Sequence, residues 1–166
     1  QLQSSAASDV YKRQGYYFPG DGAFRDDQGN YRITGRVDDV VIVSGHNLGT
    51  APIEDAINLH ENVVESALVG YPHEIKGNAL YAFVILKNDK NIDGITVEIN
   101  QLISKTIGPI AKPEKIQIVD GLPKTRSGKI MRRILRKIAA GETDNFGDIS
   151  TLLNPEIVKQ IVNEKN

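Results

Sequence analysis

The apolar residues of this chain fall into short blocks with two different periods. Val40-Val41-Ile42-Val43 is an unbroken β-branched run and reads as a short buried strand. Val63 to Val69 and Tyr81 to Leu86 read as two more strands, and in the second Tyr81, Phe83 and Ile85 alternate with Ala82, Val84 and Leu86. Apolar residues on both faces are what a sheet with helices packed on each side requires. The turn-rich segments Gly70 to His73 and Lys76 to Asn78 separate the two, and Ile116 to Val119 gives a final strand. Helical spacing appears four times. It predicts helices over Pro52 to Leu59, over Ile95 to Ile107 with Gly108-Pro109 as the stop, over a segment where Ile130, Met131, Ile134, Leu135 and Ile138 recur, and over Pro155 to Asn163. In the third of these Ser127 is the expected N-cap and Gly141 the expected stop, with Arg132, Arg133, Arg136 and Lys137 mostly pointing away from the packed face.

Upstream, Gly15 to Ala23 leads into Asp27-Gln28-Gly29-Asn30, a turn signal between two segments of strand character, so a hairpin is expected there. Gln1 to Gln14 lacks apolar periodicity and reads as a disordered or non-native leader, and Asn88 to Asn91 as a polar loop. The order of elements predicts an α+β fold, a short mixed sheet covered by helices and preceded by the hairpin. Composition narrows the class: 40% hydrophobic with 25% charged residues is globular, and a net charge of -1 argues against bulk attraction to nucleic acid or membrane. With no cysteine, disulfides and thiolate metal sites are excluded, which fits a reducing compartment. The histidines form no cluster in sequence, and His73 reads as a loop residue and not a ligand. Ala79 to Leu86, the longest mostly apolar run, is far too short to span a bilayer, so the chain reads as a cytoplasmic protein with no metal site of its own.

Charge concentrates between Pro123 and Arg133, where Lys129 follows Gly128 at the entry to the third expected helix. A cation in a first helical turn meets the positive end of the helix dipole, so the placement breaks a local preference. Two readings stand at this point, a phosphate-handling lysine and a solvated basic helix with an exposed lysine. A Walker A loop is excluded, because that pattern needs Gly where Pro123 stands and Ser or Thr where Ile130 stands. A nucleic-acid-binding helix over Lys129 to Lys137 is a third alternative, weakened by the absence of interleaved aromatics. Asp21 taken alone is a turn carboxylate. Arg36 beside Asp38 and Asp39 fits metal ligands, acid/base partners or a surface salt bridge, and residue types alone favour the salt bridge. Ser44 to Thr50 is a small-residue loop of the kind that lets a ligand approach the backbone.

These stretches together resemble the AMP-forming acetyl-CoA synthetases, members of the acyl-adenylate-forming superfamily. The resemblance rests on Tyr16-Tyr17-Phe18-Pro19-Gly20-Asp21, on Gly35-Arg36-Val37-Asp38-Asp39-Val40, on Ser44-Gly45-His46 with Leu48-Gly49-Thr50, on Ile107-Gly108-Pro109-Ile110-Ala111 and on Pro123 to Arg133. It implies that Lys129 is the adenylation lysine and a site of regulatory acetylation, that Asp21 binds the hydroxyls of the adenosine ribose, and that Arg36 contacts the same ribose. It further implies a hinge at Asp38, between 15–37 as the end of a large N-terminal domain and 38–166 as a mobile C-terminal lobe. Ser44 and Gly45 would line the path of coenzyme A. Asn47 stands where the family commonly has an arginine on the adenylate, and Ser104 where it often has one on the coenzyme A nucleotide phosphate.

The activity implied is acetyl-CoA formation from acetate, ATP and coenzyme A through acetyl-adenylate. Mg2+ would be used by the complete enzyme without clear ligands in this chain. The phosphate loop and acyl pocket of such enzymes are not matched here, so the expected partners are an N-terminal domain of the same enzyme, a lysine acetyltransferase and a deacetylase. The chain by itself is expected to be inactive. A propionate-using relative and a non-catalytic relative, the latter raised by Asn47 and Ser104, remain as alternatives.

Overall fold

The computed structural model describes residues 15, 19–87 and 93–164. The leader, Tyr16 to Phe18 and the loop at 88–91 lie outside the described residues. The chain divides into two compact units, one ending at Asp39 and the other beginning at Val40. In the first, β1 (Asp21–Arg25) and β2 (Tyr31–Arg36) form the expected antiparallel hairpin. Asp26 closes it: its Oδ1 accepts the N–H groups of Gln28 at 3.0 Å and Asn30 at 2.8 Å, and its Oδ2 accepts the Asn30 amide at 3.0 Å. The Asn30 side-chain bond, ahead of the backbone ones, holds this carboxyl below its ordinary range. A 3₁₀ turn over Val37–Asp39 ends the unit.

The second unit opens with β3 (Val40–Val43) and β4 (His46–Gly49), an antiparallel hairpin where the sequence was read as a strand and a loop. Ser44 and Gly45 both have positive φ, +49° and +82°, as a two-residue hairpin turn of the primed type requires. Only Val43 of β3 is buried, so the strand lies at the margin of the core and not inside it. After α1 (Thr50–Asn58) come β5 (Val63–His73) and β6 (Gly77–Leu86), then α2 (Ile95–Thr106), a 3₁₀ turn at Pro109–Ala111 and β7 (Lys115–Ile118). The sheet order is β5-β6-β7, with β5/β6 antiparallel and β6/β7 parallel across the α2 crossover. Gly70 to His73, expected as a turn, continues β5, because Gly70 to His73 pair with Leu80 to Gly77 and Pro72 is tolerated on an edge strand. Two helices complete the unit, α3 (Arg132–Ala139) and α4 (Glu156–Asn163). Among the described residues no helix is long and apolar enough to cross a membrane.

The double-sided pattern of the central strands gives two cores. Ala67, Val69, Tyr81 and Phe83 face Ile134, Leu135 and Ile138 of α3 and Ile157, Val158 and Ile161 of α4. Leu68, Leu80, Ala82 and Val84 face Ile53 and Ile57 of α1 and Ile99 and Ile103 of α2. Gly70 in β5 is needed for space and not for its dihedrals: a Cβ there would lie 2.6 Å from Val41 Cγ1 and 2.9 Å from Cγ2. Gly70→Ala must push the β3–β4 hairpin off the sheet and should cost about 1–3 kcal/mol, read as a lowered urea midpoint. An unchanged midpoint would mean that the hairpin is not seated on β5.

Candidate functional site

Lys129 does not stand in a helix. Pro123 to Thr125 and Lys129 to Met131 run antiparallel as a short hairpin, with a bridge between Lys124 and Ile130, and Thr125 N–H donating to Lys129 O at 2.8 Å and Met131 N–H to Pro123 O at 2.8 Å. Gly128, at φ +82°, turns the chain where a helix could not pass. Helix α3 begins only at Arg132, with Met131 and not Ser127 preceding it and no side-chain cap. The expected conflict between Lys129 and a helix dipole therefore does not exist. The stop was read correctly: Gly141 N–H donates to Ile138 O and Glu142 N–H to Lys137 O, both at 2.9 Å, the paired bonds of a Schellman ending.

The hairpin leaves Lys129 exposed, while most of the neighbouring cations are engaged within the protein. Lys124 Nζ donates to Glu65 Oε2 at 2.6 Å. Arg133 donates to the carbonyls of Phe146 at 2.7 Å and Asp148, and Lys137 to Glu142 Oε2 at 3.0 Å and Asn145 O at 2.7 Å. Contrary to the outward orientation expected for it, Arg132 turns in: its guanidinium grips both oxygens of Glu54, Nη2 reaching Oε2 at 2.8 Å, and donates to Leu68 O at 3.2 Å. Between Pro123 and Lys137, Arg126 and Lys129 are the cations left without a hydrogen bond or ion pair to their charged groups among the described residues. A free ammonium on a hydrogen-bonded hairpin can be delivered to an anion without first breaking an internal pair.

The turn at Ser44-Gly45 is held by Ser44 N–H donating to Lys76 O at 3.1 Å and by the Asn78 amide donating to Ile42 O at 3.2 Å. A groove beside it is lined by Val43, Leu80, Pro109 and Ile110 together with Lys76, Lys112 and the Glu114 carboxylate that pairs with Lys76. A Cβ at Gly45 would meet nothing within 4 Å, so within this unit the glycine answers to its positive φ and not to crowding. Asn47 is exposed on β4 opposite Ile42, and Ser104 is half-buried on α2. His73, expected in a loop, ends β5; its Nδ1 accepts the N–H groups of Ile75 at 3.1 Å and Lys76 at 3.3 Å, which leaves Nε2 facing Glu114 at 3.5 Å. Lys76 bonds the same carboxylate and is the main cause that lowers the Glu114 carboxyl below its ordinary range.

In the first unit Asp21, Arg36 and Asp38 come together. Arg36 Nε donates to Asp38 Oδ1 at 2.9 Å, its Nη1 lies 3.8 Å from Asp21 Oδ1, and the same nitrogen donates to Pro19 O at 3.4 Å. The salt bridge that residue types favoured is present, and the bond to Asp38 is the first cause raising the Arg36 pKa. Asp21 and Arg36 are partners in the β1/β2 ladder, and both are exposed. No group of three His, Asp or Glu side chains placed to hold a metal occurs among the described residues.

Residues 52–129 match the AMP-binding enzyme C-terminal domain, a match that ends on Lys129. The chain is 56% identical over 152 residues to the acetyl-coenzyme A synthetase of Alkalilimnicola ehrlichii, covering 91% of this chain and 24% of that protein. It is also 56% identical to acetyl-coenzyme A synthetase 2 of Pseudomonas putida, with the same coverage. Of solved structures, ATP-bound MatB from Rhodopseudomonas palustris aligns with a TM-score of 0.72 at 27% identity, over 84% of this chain and 27% of that one. A Brucella canis acyl-CoA synthetase aligns at 0.58 with 37% identity, over 74% and 23%. The chain thus spans about a quarter of the length of the curated relatives it matches.

Proposed function

Since this chain belongs with the C-terminal domains of the AMP-binding, acyl-adenylate-forming enzymes, we propose that it is the C-terminal part of an AMP-forming acetate–CoA ligase. The observation that carries the proposal is the ammonium of Lys129, without a partner among the described residues and presented on a closed hairpin at the end of the matched domain. In the first half-reaction acetate attacks the α-phosphate of ATP and pyrophosphate leaves. Lys129 neutralises charge where carboxylate and phosphate meet, a role that needs an extended cation not already paired. In the second, the thiol of coenzyme A displaces AMP from acetyl-adenylate. The lysine withdraws for this step and the Ser44-Gly45 turn takes its place, with Asp38 as the pivot.

Asp21 and Arg36 hold the ribose, Asn47 touches the adenylate, and Ser104 lies at the coenzyme A nucleotide. The groove beside Ser44, with apolar side chains and Lys112 in its lining, supports a path for an apolar arm that ends in phosphates. The exposed Lys129 also supports acetylation and deacetylation there as regulation, since acetylation removes the charge the first step uses. A cytoplasmic location fits these substrates. The nucleic-acid alternative would need the cations of α3, of which Arg132, Arg133 and Lys137 are already engaged in the protein.

The test is a chimera in which residues 15–166 replace the last quarter of one of the acetyl-coenzyme A synthetase relatives. It should make acetyl-CoA from acetate, ATP and coenzyme A, while the isolated chain should release no pyrophosphate above a no-enzyme control. A folded but inactive chimera, or an active isolated chain, overturns the proposal.

A further inference from the structure

One residue, Thr125, closes the lysine hairpin. Both backbone polar groups of Lys129 are taken by Thr125. The Lys129 N–H donates to Thr125 Oγ1 at 3.1 Å, and its carbonyl accepts the Thr125 N–H at 2.8 Å. The Thr125 hydroxyl also lies 3.0 Å from Ser127 Oγ and 3.3 Å from Lys129 O, and Gly128 N–H donates to Thr125 O at 2.8 Å. Thr125 is itself fixed from behind by a bridge to Leu152, while Leu153 N–H donates to Lys124 O at 2.8 Å and Asn154 Oδ1 accepts the Lys124 N–H at 3.3 Å. Three residues beyond Lys129, Arg132 is tied to Glu54 and to Leu68 O. The lysine thus has a fixed base and a free arm.

We propose that Thr125 is a positioning residue for Lys129, its hydroxyl setting where the ammonium points, with the returning 149–154 segment as the support behind it. The argument is one of leverage. A long side chain reaches an anion with the accuracy of its Cα, so a hairpin in which, among the described residues, a threonine hydroxyl is the side-chain link to the lysine backbone transmits any loss of that link to the charge. The backbone ladder bonds survive when the hydroxyl is removed, because Thr125 N–H to Lys129 O does not involve it. The fold and the position of the turn then persist while the lysine N–H loses its acceptor. This inference rests on the proposed role of Lys129.

The test uses the active chimera and compares Thr125→Val, Thr125→Ser and Lys129→Ala in the two half-reactions. Thr125→Val should slow acetate-dependent pyrophosphate release by about tenfold or more. It should leave acetyl-CoA formation from supplied acetyl-adenylate and the melting temperature nearly unchanged. Thr125→Ser, which restores the hydroxyl, should recover most of the rate. Equal slowing of both half-reactions by Thr125→Val, no slowing, or no recovery with serine overturns the positioning role. If Lys129→Ala retains pyrophosphate release, the reading of the site itself has failed; if Lys129→Ala is inactive and Thr125→Val is not, only the positioning role has.

Discussion

Glu54→Ala is expected to destabilise the second unit by about 3–5 kcal/mol, the cost of stranding one partner of a buried ion pair. Glu54 is 8% exposed on α1, and the side chain of Arg132 is about a fifth exposed at the start of α3. Besides the guanidinium fork, Glu54 Oε1 accepts the Leu68 N–H of β5 at 2.6 Å, so one carboxylate ties two helices and a strand together. Alanine removes every one of these acceptors and leaves a largely buried guanidinium bonded to the Leu68 carbonyl but without its carboxylate. With a denaturant slope of about 1–3 kcal/mol/M, the urea midpoint should fall by more than about 1 M at an unchanged slope. The double variant Glu54→Leu, Arg132→Met should recover much of the loss, because replacing both charges removes the desolvation cost along with the attraction. A loss below about 1 kcal/mol would place the pair with ordinary surface salt bridges and remove it as an anchor of the lysine hairpin.

That pair shows where reading the sequence stopped short. The elements themselves were legible because their signals are periodic and local: Tyr81 to Leu86 is apolar on both faces, and both faces are buried. Ile99, Leu102 and Ile103 mark α2, and Gly141 ends α3 by the bonds its freedom permits. Three features depend on pairing with a neighbouring segment, which residue types alone do not show, and were misread. Ser44 to Gly49 has small and polar residues, yet pairing with Val40 to Val43 makes a strand of His46 to Gly49. Gly70 to His73 has turn residues, yet β6 extends far enough to hold them in the sheet. Ser127 has the chemistry of an N-cap, yet the pairing of Thr125 with Lys129 takes the backbone groups that an earlier helical turn would use.

The candidate site was legible unevenly for the same reason. Lys129, Asp21 and Arg36 stand out by motif. What holds the lysine did not stand out: Thr125 is one hydroxyl in a basic stretch, and Arg132 looked like part of a solvated face. A signal for Arg132 was present in Glu54, a carboxylate between Ile53 and Ile57 on the packed side of α1. Such a position requires a buried cation from elsewhere in the chain.

Lys129→Ala in the active chimera tests the central claim most directly, because the claim is that one exposed lysine serves one of two half-reactions. The hairpin gives the reason for a separation: among the described residues Lys129 makes no side-chain bond, so its removal should leave the hairpin, its ladder bonds and the Ser44-Gly45 turn intact. Only the charge proposed to act at the forming adenylate is lost. Removing one such stabilising group typically costs about 10²–10³ in rate, and Lys129→Gln, which resembles the acetylated side chain in charge, should cost about the same. The account predicts that acetate-dependent pyrophosphate release falls by that factor, while acetyl-CoA formation from supplied acetyl-adenylate stays within about twofold of the unsubstituted chimera. Equal losses in both half-reactions, or undiminished pyrophosphate release, would contradict it.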